Sequence, residues 1–141
     1  MVKILVAVDG SEYSKKALLK AKEFAAALNG EITIINVMNV VPPYDYQHNA
    51  HKFLELEKLA SENSHALLEK AKMHFVDSPI NVELIHKRGD PANEIINFAD
   101  EGNFDLIVMG SRGFGVFKRT LLGSVSDKVV HHTDASVLIV K

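Results

Sequence analysis

A chain of 141 residues, 47% hydrophobic, with 16 Lys and Arg against 18 Asp and Glu for a formal charge of −2, is long enough for one core and short for two. A single domain over 1–141 is expected, and the near-neutral balance excludes the basic footprint that nucleic acid or an anionic membrane surface would require. The absence of cysteine removes disulfides, thiolate metal sites and cysteine nucleophiles and fits a reducing compartment, so the cytoplasm is the expected location.

The opening "MVKILVAVDG" contains "KILVAV", a continuous run rich in β-branched residues and without polar alternation. A strand buried on both faces has this pattern. The run ends at Asp9, too soon for the core of a signal peptide, and no stretch approaches the ~20 apolar residues of a membrane span. In "SEYSKKALLKAKEFAAALNG" the residues Ala17, Leu18, Ala21, Ala25 and Leu28 share one helical stripe, with Ser11 or Ser14 as N-cap and Asn29-Gly30 as the stop. "EITIINV" is the second strand, ending near Val37. "MNVVPPYDYQHNA" then reads as a loop, and from about His51 to Phe75 the spacing of Leu56, Ala60, Leu67, Ala71 and Phe75 predicts one long amphipathic helix.

"INVELIHK" is a third strand. Asp90 offers an N-cap with Pro91 at the first helical position, followed by Ile95, Ile96 and Ala99, and Gly102 is the stop. "DLIVM" is a fourth strand, a glycine-rich loop follows, "SVSDKVVHH" is helical and "ASVLIV" is a fifth strand. Apolar strands alternating with helices argue an α/β domain, an open five-stranded parallel sheet with helices on both faces. In such sheets ligands sit beyond the carboxyl ends of the strands, where the strand order reverses. Attention therefore falls on Asp9 to Ser11, Val37 to Asn49, Lys87 to Asp90 and the glycine loop.

That loop, "GSRGFGVFKRTLLGS" over 110–124, is not a Walker A sequence, because Lys118 is not preceded by glycine and followed by Ser or Thr. Nor is it a dinucleotide fingerprint, since "GSRGFG" has the spacing G-x-x-G-x-G. What it does contain is Gly110, two residues, Gly113, nine residues, then Gly123-Ser124. Gly110 and Gly113 would bring backbone amides close to anionic oxygens, and Gly123-Ser124 would open a helix whose N-terminal amides attract anions. The alternative is that the first two glycines only turn the chain and Ser124 is an ordinary N-cap with Asp127 three residues on. Asp9, at the end of a central strand, is placed to accept hydrogen bonds from ribose hydroxyls, or to cap the helix that follows. A hairpin at Asp9-Gly10 is disfavoured by that helix.

Seven histidines raise a metal site, but His48 and His51 lack a third ligand nearby and the adjacent His131 and His132 leave a helix in different directions, so no zinc site is expected. There is also no nucleophile elbow and no H-E-x-x-H.

The segments "ILVAVDGSEYS", "ITIINV", "RGDPANEI", "DLIVMGSRG" and "LLGSVSDKVVHHTDASVLIVK" together resemble the universal stress protein family across essentially the whole chain, with the G-x2-G-x9-G-S motif intact. The resemblance implies the ATP-binding branch of that family and a Rossmann-like fold of the adenine nucleotide alpha hydrolase type, strand order 3-2-1-4-5. By position it implies a nucleotide site with Ala7, Val8 and Asp9 at the end of the first strand, Asp9 holding ribose, and with the Val37 backbone meeting adenine. Met109, Gly110, Gly113, Gly123, Ser124 and Val125 match the triphosphate loop, where Mg or Mn would bridge phosphates of ATP, or AMP or ADP would sit. It further implies homodimers formed largely through the last strand. Arg112, Lys118 and Arg119 are candidates to neutralise phosphate charge. Tyr44 or Tyr46 would cover the nucleotide, face solvent or contact a second subunit.

The leading reading is thus an ATP-binding regulatory or stress-response protein without a clear catalytic apparatus, acting on a protein partner that the sequence does not name. Alternatives are a slow ATPase or phosphotransferase at the same site, a dimeric scaffold with an empty crevice, or, more remotely, a flavodoxin-like flavin protein.

Overall fold

The computed structural model describes residues 1–39, 49–113 and 122–141. Strands β1 (Val2–Ala7), β2 (Gly30–Met38), β3 (Val82–Arg88), β4 (Leu106–Gly110) and β5 (Ser136–Val140) alternate with helices α1 (Glu12–Leu28), α2 (Ala50–Lys72), α3 (Pro91–Glu101) and α4 (Ser124–His132). All neighbouring strands run parallel in the order β3-β2-β1-β4-β5. The order implied by the family resemblance is therefore the order of the fold.

Period-two alternation divides β1 between two cores. Ile4 and Val6 pack with Ala17, Leu18, Ala21 and Ala25 of α1 and with Leu68 and Ala71 of α2. Leu5 faces the other way, with Ile35, Ile95, Ile96 and Ala99 of α3, Ile107, Met109 and Val129 of α4. Because both faces are covered, β1, β2 and β4 carry apolar runs instead of alternation. Ile4, Leu5, Val6, Ile34 and Ile107 have no solvent exposure, each worth about 1.5–3 kcal/mol of burial.

Local signals set the helix ends. Ser11 is the N-cap of α1, its Oγ accepting from the Ser14 amide at 3.2 Å, and Asn29 ends the helix in the left-handed region. Asp90 caps α3 through the Asn93 amide at 3.0 Å, ahead of Pro91. The long helix stops at Lys72 and finishes in a 3-10 turn, Met73–Phe75, that delivers Phe75 to the core. Leu28 departs from its expected place on the buried stripe, being 48% exposed. It points in the stripe's direction but lies one turn beyond Ala25, the last stripe residue that the sheet covers. At α4 the N-cap is Gly123, not Ser124, which is the first helical residue.

The two sheet edges differ. β3 carries Glu83, Lys87 and Arg88, and the Arg88 guanidinium forms a two-pronged ion pair with Glu57 of α2 at 2.7 and 3.0 Å. β5 reads Ser-Val-Leu-Ile-Val, with no charged residue.

Candidate nucleotide-binding site

The order β3-β2-β1-β4-β5 reverses between β1 and β4, since the chain steps outward one way through β2 and β3 and then the other way through β4 and β5. Beyond the carboxyl ends of these strands lies a cavity of about 270 Å³. Of the site residues expected from the sequence, all that fall within the described residues line it: Ala7, Val8 and Asp9 after β1, Val37 of β2, Met109, Gly110, Arg112 and Gly113 at and after β4, and Gly123, Ser124 and Val125 at the start of α4.

The first wall is the turn joining β1 to α1. Gly10 has φ of +88°, in the left-handed region that favours glycine, so the chain reverses directly after Asp9. Asp9 Oδ1 accepts from the Ser11 amide at 2.8 Å, and the Asp9 amide donates to Ser14 Oγ at 3.3 Å. One carboxylate oxygen is thus committed to the turn. The other faces the glycine loop: a Cβ built on Gly113 would lie 2.5 Å from Asp9 Oδ2.

The second wall is the seam between β4 and α4. Ser111 donates its amide to the Val140 carbonyl at 2.8 Å. Its own carbonyl accepts from the Gly123 amide at 2.6 Å and from Ser126 Oγ at 3.1 Å. These bonds clip the two flanks of the glycine loop together. Gly123 brings no side chain to cap α4, so among the described residues no side chain caps the amides of the first turn, which border the cavity. Asp9 and Arg112 are the charged side chains among the described lining residues. Lys118, Arg119, Tyr44, Tyr46 and His48 lie outside the described residues.

Gly110 has a different reason to be glycine. A Cβ there would come within 2.7 Å of Tyr13 Cβ, 2.8 Å of its carbonyl carbon and 2.9 Å of its oxygen, so the residue is small because α1 crosses β4 against it.

Ser14, Ile35, Asn36, Pro91, Ile95 and Ser126 also line the cavity and were not anticipated, and Asn39 joins them from the expected stretch after Val37. Ser126 had a signal, as the residue three after Gly123 on the helix that opens there. Asn36 belongs to a buried polar column. Its Nδ2 donates to the Val8 carbonyl at 2.7 Å, and its Oδ1 accepts from Ser64 Oγ of α2 at 2.6 Å. Ser64 Oγ is also 2.7 Å from His86 Nδ1 of β3. The serine has one proton and gives it to Asn36, so His86 must donate from Nδ1 and keep its other nitrogen free for protonation.

Burial, and next the neighbouring His65 charge, hold the His86 pKa below the ordinary histidine value. As the pH falls, the unfolded chain takes up this proton first. Stability from this group is therefore complete above about pH 6.5, the unfolded value, and is lost as the pH drops through the folded one. Thermal melts between pH 7.5 and 5.5 are expected to show a smaller fall in midpoint for His86→Asn than for the wild type. Equal falls would mean that His86 does not contribute.

Among the described residues no three His, Asp or Glu side chains converge as a bare metal site would need. Nor, among the described residues, is any helix long and apolar enough to cross a membrane.

A five-stranded parallel sheet of this order, with a crevice at its reversal point, is a Rossmann-like α/β domain. The chain belongs to the universal stress protein family, whose model matches residues 1–141. Universal stress protein YxiE of Bacillus subtilis is 37% identical over 145 residues, covering 99% of this chain and 98% of that protein. The structure of the hypothetical protein MJ0577 matches with a TM-score of 0.86 at 30% identity, covering 99% of this chain and 95% of that one. A universal stress protein solved in complex with cAMP matches with a TM-score of 0.74 at 27% identity, covering 99% and 97%.

Proposed function

We propose that the chain is a nucleotide-binding regulatory protein of the ATP-binding branch of its family, holding ATP across the β1/β4 crevice. The observation that carries this reading is the opposition of two complementary groups on one cavity. The second oxygen of the Asp9 carboxylate is an acceptor suited to ribose hydroxyls, and the α4 N-terminus at Gly123, uncapped by side chains among the described residues, is a donor surface suited to phosphates. Arg112 adds positive charge on the phosphate side. In this reading Val37 meets the base, Ala7, Val8 and Met109 form the floor, and Ser124 and Val125 offer first-turn amides.

The donor set also fits a nucleotide-borne divalent ion. Hard oxygen donors suit Mg, which keeps phosphates and water as ligands instead of requiring a protein cage, and Mn accepts the same donors. Such an ion would neutralise phosphate charge. A relative bound to cAMP supports the choice of an adenine nucleotide.

A homodimer through β5 completes the proposal, supported by the outer edge of that strand, which is uncharged and, among the described residues, pairs with no further strand.

Titration calorimetry with ATP and Mg on the wild type and on Gly113→Ala tests the site. Gly113 does not have a left-handed φ, and among the described residues the Cβ would meet only the Asp9 side chain, so the variant is expected to fold, losing at most the bond from the Ser11 amide to Asp9. The carboxylate must turn away, and ATP affinity is expected to fall at least about tenfold, the loss of one charge-assisted hydrogen bond. Equal affinities would remove Gly113 and Asp9 from the site.

A further inference from the structure

We propose that the Asn36–Ser64–His86 column ends the β1–β2 ladder one rung early and so reserves the main-chain edge of Val37 for the base of the bound nucleotide. The inference rests on the nucleotide reading above and assigns a positioning role to three side chains, two of which do not line the cavity.

Along a parallel strand, the amide and carbonyl of one residue point to the same neighbouring strand, and successive residues alternate. In β2 the Ile35 carbonyl accepts from the Val8 amide at 3.0 Å, toward β1, whereas the Met38 carbonyl accepts from the Gly89 amide at 2.9 Å, on the β3 side. Val37 has the parity of Ile35, so its amide and carbonyl face β1. But β1 stops at Ala7, paired with Ile35. The next rung of a regular ladder would run from the Val37 amide to the Val8 carbonyl. That carbonyl is taken instead by Asn36 Nδ2 at 2.7 Å, and Val37 lies on the cavity wall.

The polar residue at this place is otherwise hard to account for. Asn36 is only 9% exposed, in a strand whose other buried residues are Ile32, Thr33, Ile34 and Ile35. An aliphatic side chain would fill the position without partners, whereas a buried amide needs them. Ser64 from α2 satisfies Asn36 Oδ1, and His86 from β3 satisfies Ser64. Three elements thus contribute to orienting one amide, and its outcome is an early end to the ladder at the mouth of the crevice.

Hydrogen exchange by NMR on the wild-type chain without nucleotide gives the first test. The Val37 amide is expected to exchange at least tenfold faster than the Ile35 amide, although both face β1; equal protection would overturn the inference. The second test uses Asn36→Val combined with Ser64→Ala, which removes the polar pair together. In that variant the Val37 amide is expected to slow at least tenfold as the rung closes. Calorimetry should show AMP binding weakened at least tenfold, with ribose 5-phosphate, which lacks the base, changed less than twofold. Equal losses for the two ligands would mean a merely structural role and overturn the proposal. Failure of the nucleotide reading would look different: the wild type would bind neither ligand, whatever the exchange data, and the assignment of Val37 to a base would fall with it.

Discussion

Gly110→Ala is expected to lower the free energy of unfolding by about 2 kcal/mol, read as a shift in the urea midpoint with an unchanged slope. The added methyl would meet the carbonyl carbon and oxygen of Tyr13 at 2.8 and 2.9 Å. Those atoms belong to the first turn of α1, which is fixed to the sheet by Ala17, Leu18 and Ala21. Backbone cannot swing aside as a side chain does, so the helix must shift against a close-packed core. Overpacking of this kind costs about 1–3 kcal/mol. The gain from stiffening the unfolded chain, at most about 1 kcal/mol, is smaller. A midpoint equal to wild type would show that α1 is not held firmly against β4. The contrast with Gly113 is informative, because there the larger expected loss is in binding.

Asp9→Ala is expected to weaken ATP binding by about ten- to a hundredfold, the range for removing a charged acceptor from a hydrogen-bonded contact. The substitution also deletes the bond from the Ser11 amide to Asp9 Oδ1. Asp9→Asn separates the two effects, since its carbonyl oxygen can still accept from Ser11 while the charge is gone. If the carboxylate holds ribose, Asn should recover the stability lost in Ala but only part of the affinity. If calorimetry finds Asp9→Ala binding ATP as the wild type does, the ribose assignment is wrong, and Asp9 is there for the turn alone.

The element order was open to reading because β1, β2 and β4 are buried on both faces and carry unbroken apolar runs, and because Ser11, Asn29, Asp90 and Gly102 mark helix ends by local chemistry. The strand order was not in that pattern. Nothing in an apolar run says which neighbour it pairs with, so 3-2-1-4-5 came from the resemblance to a family. Leu28 shows a related limit: periodicity gives the direction of a side chain but not how far the sheet extends beneath it.

The residues of the crevice were legible where glycine or aspartate stood at the end of a strand or just after it, as at Gly110 and Asp9. The reason for each glycine was not. Gly110 and Gly113 look alike in "GSRG", yet one is crossed by the backbone of α1 and the other is met by a carboxylate. The column through Asn36, Ser64 and His86 gave no signal, since its members are 22 and 28 residues apart in the chain and meet only when α2 lies over β2 and β3.

The unequal edges of the sheet bear on how large an assembly this fold can build. Glu83, Lys87 and Arg88 discourage another strand from joining at β3, while β5 offers a plain row of backbone groups. If two copies meet through β5 about a twofold axis, as proposed, each uses its receptive margin on the other. The sheet would then run continuously through both molecules and end in charge on either side. In that proposed pairing growth would terminate at two, because neither outer edge of the joined sheet would accept a third copy.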